Sequence, residues 1–269
     1  MSETVDTSFV PKLDARQRAM LAEMGVRVWA PKPRPEAHTA SAPVPASPVA
    51  TPVARAPAAP VAEAPVAVRP ARAASVQTMD WATLRETVAG CEACGLCKSR
   101  KNTVFGVGDE QADWMIVGEA PGENEDLRGE PFVGAAGQLL DNMLRAVGRS
   151  RTGQGAQGAF IANVLKCRPP ANRNPQPDEV AQCEPYLARQ VALVQPRVIV
   201  AMGRFAVQAL LKSSEPIGRL RGRVHQYEGV PVIVSYHPAY LLRTPTDKGK
   251  AWADLCLAMQ TLEAATSAT

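Results

Sequence analysis

Long apolar runs, an export signal and, over one long stretch, large apolar side chains are what this chain lacks. No run of about 18 or more apolar residues occurs, so no transmembrane helix is expected. The opening Met1-Ser2-Glu3-Thr4-Val5-Asp6 is acidic and polar, which is not a signal peptide. Six cysteines in a chain with no sign of export argue against a disulfide framework and for a metal or a cluster. Residues 31–75 contain no Leu, Ile, Met, Phe, Tyr or Trp, yet hold 11 of the 24 prolines and 15 alanines. Such a stretch cannot bury enough apolar surface to offset its ordering entropy, and it reads as an extended, disordered linker with polyproline character. A broad basic surplus is missing too. Of the net charge of +4, +3 falls in residues 31–75, which leaves the rest of the chain at +1. Any basic surface on the folded part is therefore local.

What is present suits one domain with appendages: 269 residues, 46% of them apolar. The sequence divides into a segment 1–30, the Ala/Pro-rich linker 31–75 and a folded domain 76–269. In the first, Leu13, Met20, Leu21 and Met24 have the spacing of a short amphipathic helix. In the domain, Asp80 is placed to N-cap a helix over 81–89 that Gly90 ends. Apolar runs predict strands at 113–118, 159–165 and 197–201, and a strand pair at 219–227 and 230–235. Helices are expected at 136–147, 177–194, 203–211 and 248–263, with long loops at 118–137 and 237–246. Strands alternating with helices imply an α/β fold whose sheet is mostly parallel and covered on both faces.

Four cysteines stand out by spacing. Cys91 and Cys94 form a CxxC pair, and Cys167 and Cys183 are separated by fifteen residues. Soft thiolates select zinc or an iron–sulfur cluster. Cys97 is near enough to compete with Cys94, and Cys256 falls on the last helix as a small apolar residue. The loop Gly118-Glu119-Ala120-Pro121-Gly122-Glu123-Asn124-Glu125-Asp126 leaves a buried strand carrying four acids. It suits a ligand floor with a carboxylate that handles water, against the plainer reading of a solvated acidic loop. Phe132 is fixed in a rigid turn beside that floor, where an aromatic can stack on a base. Asn163 and His237 both fall near the carboxyl end of a strand, where an open α/β sheet binds ligands. Leu241 and Leu242 suit a wedge inserted into a duplex, with Arg243 on phosphate. Arg219, Arg221 and Arg223 alternate, which on a strand puts three guanidiniums on one face as a phosphate patch.

GEAPGENED, GEPFVGAAGQLLD, NVLKCRPPANRNPQPDE and SYHPAYLLR follow one another in this order. Together they resemble the motifs of the family 4 uracil-DNA glycosylases, and the likeness covers about residues 91–262. The resemblance implies a three-layer α/β/α fold with a short central sheet. It implies removal of uracil from DNA by hydrolysis of the N-glycosidic bond, which begins base excision repair of deaminated cytosine. It implies one 4Fe-4S cluster on cysteines that match Cys91, Cys94, Cys167 and Cys183. Phe132 then corresponds to the aromatic that stacks on the flipped base, and Asn163 to the asparagine that reads its edge. Glu119 and Ala120 line the floor, and His237 corresponds to the histidine that stabilises the departing uracil anion. For the carboxylate that orients water, Glu125 ranks first and Glu119 second. DNA contacts are expected from Arg221, Arg223, Leu241, Leu242 and Arg243. The expected partner is uracil-containing DNA, single- or double-stranded, met by a monomer in the bacterial cytoplasm at the nucleoid.

Two rivals are weighed against this. A relative that traps its product covalently carries a basic loop ending in histidine after the first motif, and that loop is absent. A non-catalytic DNA-binding protein built on zinc would be colourless. The segment Leu21-Ala22-Glu23-Met24-Gly25-Val26-Arg27-Val28-Trp29 resembles the N-terminal peptide of the psi subunit of bacterial DNA polymerase III, which docks on the clamp loader. Residues 13–30 are therefore expected to recruit the enzyme to the replisome, with Trp29 as the anchor.

Overall fold

The computed structural model of the chain describes residues 70–267. The docking peptide expected at 13–30, and the linker as far as residue 69, lie outside the described residues. In chain order the elements are α1 (Pro70–Val76), α2 (Trp81–Ala89), β1 (Val107–Gly108), β2 (Trp114–Gly118), α3 (Glu123–Arg128), α4 (Gly134–Ala146), β3 (Ala159–Asn163), α5 (Pro177–Val194), β4 (Val198–Met202), α6 (Arg204–Leu211), α7 (Ile217–Leu220), β5 (Val224–Tyr227), β6 (Val230–Ser235), α8 (Pro238–Arg243) and α9 (Lys248–Ser267).

The strands form one sheet in the order β1-β3-β2-β4-β6-β5. The four inner strands run parallel, and the two edge strands are antiparallel to them. β2, β3 and β4 are buried along their whole length, which explains why they read as unbroken apolar runs. Alternation then assigns each residue a layer. Trp114 and Ile116 pack with Leu140 and Leu144 of α4 and Leu255 and Ala258 of α9. Met115 and Val117 pack with Leu84 and Val88 of α2 and Tyr186 and Val191 of α5. Each such aliphatic side chain contributes about 1.5–3 kcal/mol of burial. The result is the three-layer α/β/α architecture that the resemblance implied, with the sheet covered on both faces as the alternating pattern implied.

Four details depart from the sequence expectations. First, Pro70–Val76 is helical rather than the end of a linker. Arg72 accounts for this: it donates to Gln182 Oε1 at 2.8 Å and to Cys91 Sγ at 3.4 Å, and lies over the Tyr186 ring at 5.0 Å. Second, the acidic loop contains α3. Glu123, Glu125 and Asp126 sit in its first turn, where negative charge offsets the exposed N–H groups. Third, residues 238–243 form α8 rather than a loop, with His237 as N-cap and Pro238 in the first turn. Fourth, β5 begins only at Val224. Arg219 belongs to α7, so the three arginines do not alternate along a strand.

Arg221 is thereby corrected from a phosphate ligand to a packing residue. Its guanidinium grips both oxygens of Asp254 at 2.8 Å and stacks on Tyr236 at 4.8 Å. The two side chains are 13% and 1% exposed, so the guanidinium is committed to Asp254 and Tyr236.

Candidate active site

The parallel strands deliver their carboxyl ends to one edge. Gly118 of β2 pairs in register with Asn163 of β3, and β6 ends at Ser235, two residues before His237. Between the loops that follow opens a cleft of about 490 Å³. Glu119, Ala120, Glu125, Phe132, Asn163, His237 and Arg243 all line it.

Asn163 is 2% exposed, yet its side-chain amide makes no hydrogen bond among the described residues. Its backbone is held from below, where Lys166 Nζ donates to Asn163 O at 2.7 Å. Lys166 is itself fully buried and also donates to Gln190 Oε1 at 2.6 Å. Burial draws its pKa down to about 7. Gln190 completes the chain by donating to Phe105 O at 2.9 Å. The amide is thus buried with its own backbone fixed and its polar end free in the cleft.

Phe132 closes one wall. Its backbone has φ 53°, in the left-handed region that bulky residues avoid. The ring stacks on His237 at 5.3 Å between centroids, with 26° between planes. A base held between two rings needs about 7 Å, twice the ~3.5 Å contact distance. A base that touches both therefore meets one of them by its edge.

His237 has a fixed tautomer. Its Nδ1 accepts from the Ala239 N–H at 3.2 Å as the cap of α8, which leaves Nε2 to carry the proton. Desolvation, helped by the positive charge of Arg243, lowers its pKa to about 4. The imidazole is thus a neutral donor at working pH.

The four acids divide their labour. Asp126 is buried and accepts from the Lys101 and Asn102 N–H groups. Glu123 is exposed and faces Arg168 at 3.8 Å. Glu125 spends both oxygens on the backbone, accepting from Gly122 N–H at 3.0 Å and Val133 N–H at 2.9 Å. Glu119 alone lines the cleft with no hydrogen-bond partner among the described residues. Desolvation raises its pKa, partly opposed by Arg204.

At the rim, Arg243 is exposed and free of ion pairs among the described residues, whereas Arg173 is held by Glu179. Of the two leucines expected as wedges, Leu241 is 1% exposed and turned into the protein, while Leu242 is 42% exposed. Arg223 is exposed and bonds the Arg219 carbonyl.

The cysteines converge behind the cleft. Cys167 and Cys183 are buried with Leu96 and Leu165, and Cys94 packs against them. Cys91 joins through Arg100, which donates to Cys91 O at 2.6 Å and to Cys167 Sγ at 3.3 Å. Desolvation pushes the Cys183 thiol up to about 12. Among the described residues, no three His, Cys, Asp or Glu side chains close around a single ion.

Sequence reasoning passed over Gly118, Lys166, Arg151, Arg72 and Arg100. Lys166 did carry a signal: a lysine inside an apolar run must find partners if buried. The others act through contacts distant in sequence.

Residues 105–256 match the sequence profile described as the Uracil DNA glycosylase superfamily. The chain belongs to that superfamily. Two curated relatives named "Type-4 uracil-DNA glycosylase" place it in the type-4 branch. The one from Archaeoglobus fulgidus is 47% identical over 166 residues, 59% of this chain and 81% of that protein. The one from Pyrobaculum aerophilum is 44% identical over 187 residues, 66% of this chain and 93% of that protein. A "Type-5 uracil-DNA glycosylase" from Thermus thermophilus is 31% identical over 57% of this chain and 75% of that protein. The superfamily match spans the sheet and every cleft residue named above, and stops short of the end of α9.

The state of His237 is open to direct measurement. NMR titration of the imidazoles should find its midpoint near 4, with the proton on Nε2 at neutral pH. The folded value is depressed, so the unfolded chain protonates first as pH falls. The stability linked to this neutral ring is fully present above ~6.5 and is lost as pH drops toward about 4. A midpoint at the ordinary value would contradict the desolvated site.

Proposed function

We propose that the protein is a uracil-DNA glycosylase that flips uracil out of DNA and hydrolyses its N-glycosidic bond, leaving an abasic site for base excision repair. The observation that carries this is Asn163, buried, held by its backbone, and unpartnered at its amide inside the cleft. One amide offers one donor and one acceptor, which fits the O4 and N3–H of uracil. Cytosine reverses that pattern and would leave buried groups unpaired. The base must leave the stack to reach such a pocket.

The chemistry follows from the groups in place. The bond between the sugar C1′ and uracil N1 breaks, and its electron pair leaves with the base. The Nε2–H of His237 and the Ala120 N–H, which has no partner among the described residues, stabilise the anion. Water adds to the sugar carbon and gives its proton to a carboxylate. Glu119 suits that role better than Glu125: it is free in the cleft, and its raised pKa makes it the better acceptor of a proton. Glu125, expected first from the sequence, supports the turn instead. Arg243 and Arg223, both exposed, keep their reading as phosphate contacts, and the exposed Leu242 its reading as the wedge for the gap the base leaves.

We further propose one 4Fe-4S cluster on Cys91, Cys94, Cys167 and Cys183. The donor set fits: of the four thiols two are buried, and Arg72 and Arg100 donate to the sulfurs of Cys91 and Cys167, so their charge would offset that of a thiolate cluster. A zinc ion would draw all four sulfurs to within about 2.3 Å of one centre, whereas a cluster gives each thiolate its own iron. When bound, the cluster's part is structural, tying residues 91–100 to the loop after β3 and to α5. Residues 13–30 keep their reading as a docking peptide for the clamp loader on sequence alone, and the folded part is proposed to act as a monomer.

Incubation with a uracil-containing oligonucleotide, followed by alkali, should break the strand at uracil and leave a cytosine control intact. Asn163→Ala should lose more than about a hundredfold in rate, as expected when a site loses its base-reading hydrogen bonds, and keep its fold. No break with the unaltered protein would remove the proposal. Cys167→Ala should lose visible absorbance and soluble yield together. A colourless variant that stays stable and active would contradict a structural cluster.

A further inference from the structure

Arg151 sits in the turn between α4 and β3 and does not line the cleft. Its side chain is 16% exposed, and all three nitrogens are engaged. Nη1 donates to Pro131 O at 3.1 Å, Nη2 to Phe132 O at 2.9 Å, and Nε to Asp141 Oδ1 at 2.8 Å. Asp141 belongs to α4, so the guanidinium ties that helix to the turn before it. Both carbonyls belong to the turn where Phe132 takes its left-handed backbone, φ 53°. A bulky residue persists there only when its surroundings over-determine it. Two other groups hold the same turn. Gly137 leaves room for it, since a Cβ there would stand 1.7 Å from Phe132 O. Glu125 holds the next N–H, that of Val133, at 2.9 Å.

We propose that Arg151 is a positioning residue for uracil excision. Its planar fork fixes two successive carbonyls, and through them the angle of the Phe132 ring that receives the flipped base. A lysine supplies one point of charge and cannot span both carbonyls in this fixed geometry. The inference rests on the reading of Phe132 as the stacking ring, and the test separates the two.

Single-turnover excision and DNA binding are compared for Arg151→Gln, Arg151→Lys, Phe132→Ala and the double variant Arg151→Gln/Phe132→Ala. Arg151→Gln should slow excision about ten- to a hundredfold, the scale expected for a misplaced reacting group, and Arg151→Lys should recover part of that loss. Binding to DNA that already carries an abasic site should stay at the unaltered level, because no base is left to stack. In the Phe132→Ala background the arginine change should add little, since groups acting through one another are non-additive. Additive losses, weaker abasic-site binding or an unaltered rate would each overturn the proposal. Phe132→Ala alone reports on the stacking reading: if it excises normally, that reading fails. If it is impaired while Arg151→Gln is not, only the present inference fails. Should Arg151→Gln not fold, Asp141→Asn loosens the same anchor and must give the same pattern.

Discussion

The site depends on a close approach at the end of β2, where a glycine hydrogen is all that fits. A Cβ on Gly118 would lie 2.4 Å from Asn163 Oδ1 and 2.5 Å from the Phe132 ring. Ordinary contact needs ~3.5 Å, so any other residue would displace one of them by about 1 Å. The Asn163 amide and the Phe132 ring therefore meet directly over the end of β2. Everything around them serves that seating. Lys166 holds Asn163 from beneath, Arg151 and Glu125 hold the Phe132 turn, and the α8 cap orients His237.

Charge is distributed with the same economy. Of the four acids in the first motif, Glu125 and Asp126 are tied to backbone N–H groups and Glu123 faces solvent, so of the two carboxylates that line the cleft Glu119 is the one without a hydrogen-bond partner among the described residues. Burial raises its affinity for a proton and lowers that of His237. The two groups are thereby shifted in opposite senses, the carboxyl towards holding a proton and the imidazole towards losing one. Arg72 and Arg100 donate to the sulfurs of Cys91 and Cys167, so the cations that touch the cysteines come from two separate parts of the chain.

The sheet was legible because strands buried on both faces leave unbroken apolar runs, as in Trp-Met-Ile-Val and Val-Ile-Val. Glu119, Asn163 and His237 were legible as cleft residues because they sit at or just past the ends of those runs. What the sequence hid was of two kinds. Short helices built from atypical residues escaped: α3 reads as an acidic loop, α8 as an apolar one, and α1 as the end of an Ala/Pro linker. Side-chain commitments set by distant partners also escaped. Arg221 looked free until Asp254, 33 residues on, claimed it, and Leu241 differs from Leu242 only by which side of α8 meets the core. The family resemblance ranked Glu125 ahead of Glu119 without showing that Glu125 is tied to the Val133 N–H.

The claim that the glycine seat makes the pocket is tested most directly by the single-turnover rate of uracil excision in Gly118→Ala, with circular dichroism recorded on the same sample. The account predicts native secondary structure and a rate lowered by about a hundredfold, the cost of a ~1 Å misplacement at a reacting centre. A folded Gly118→Ala that excises uracil as fast as the unaltered protein would contradict it.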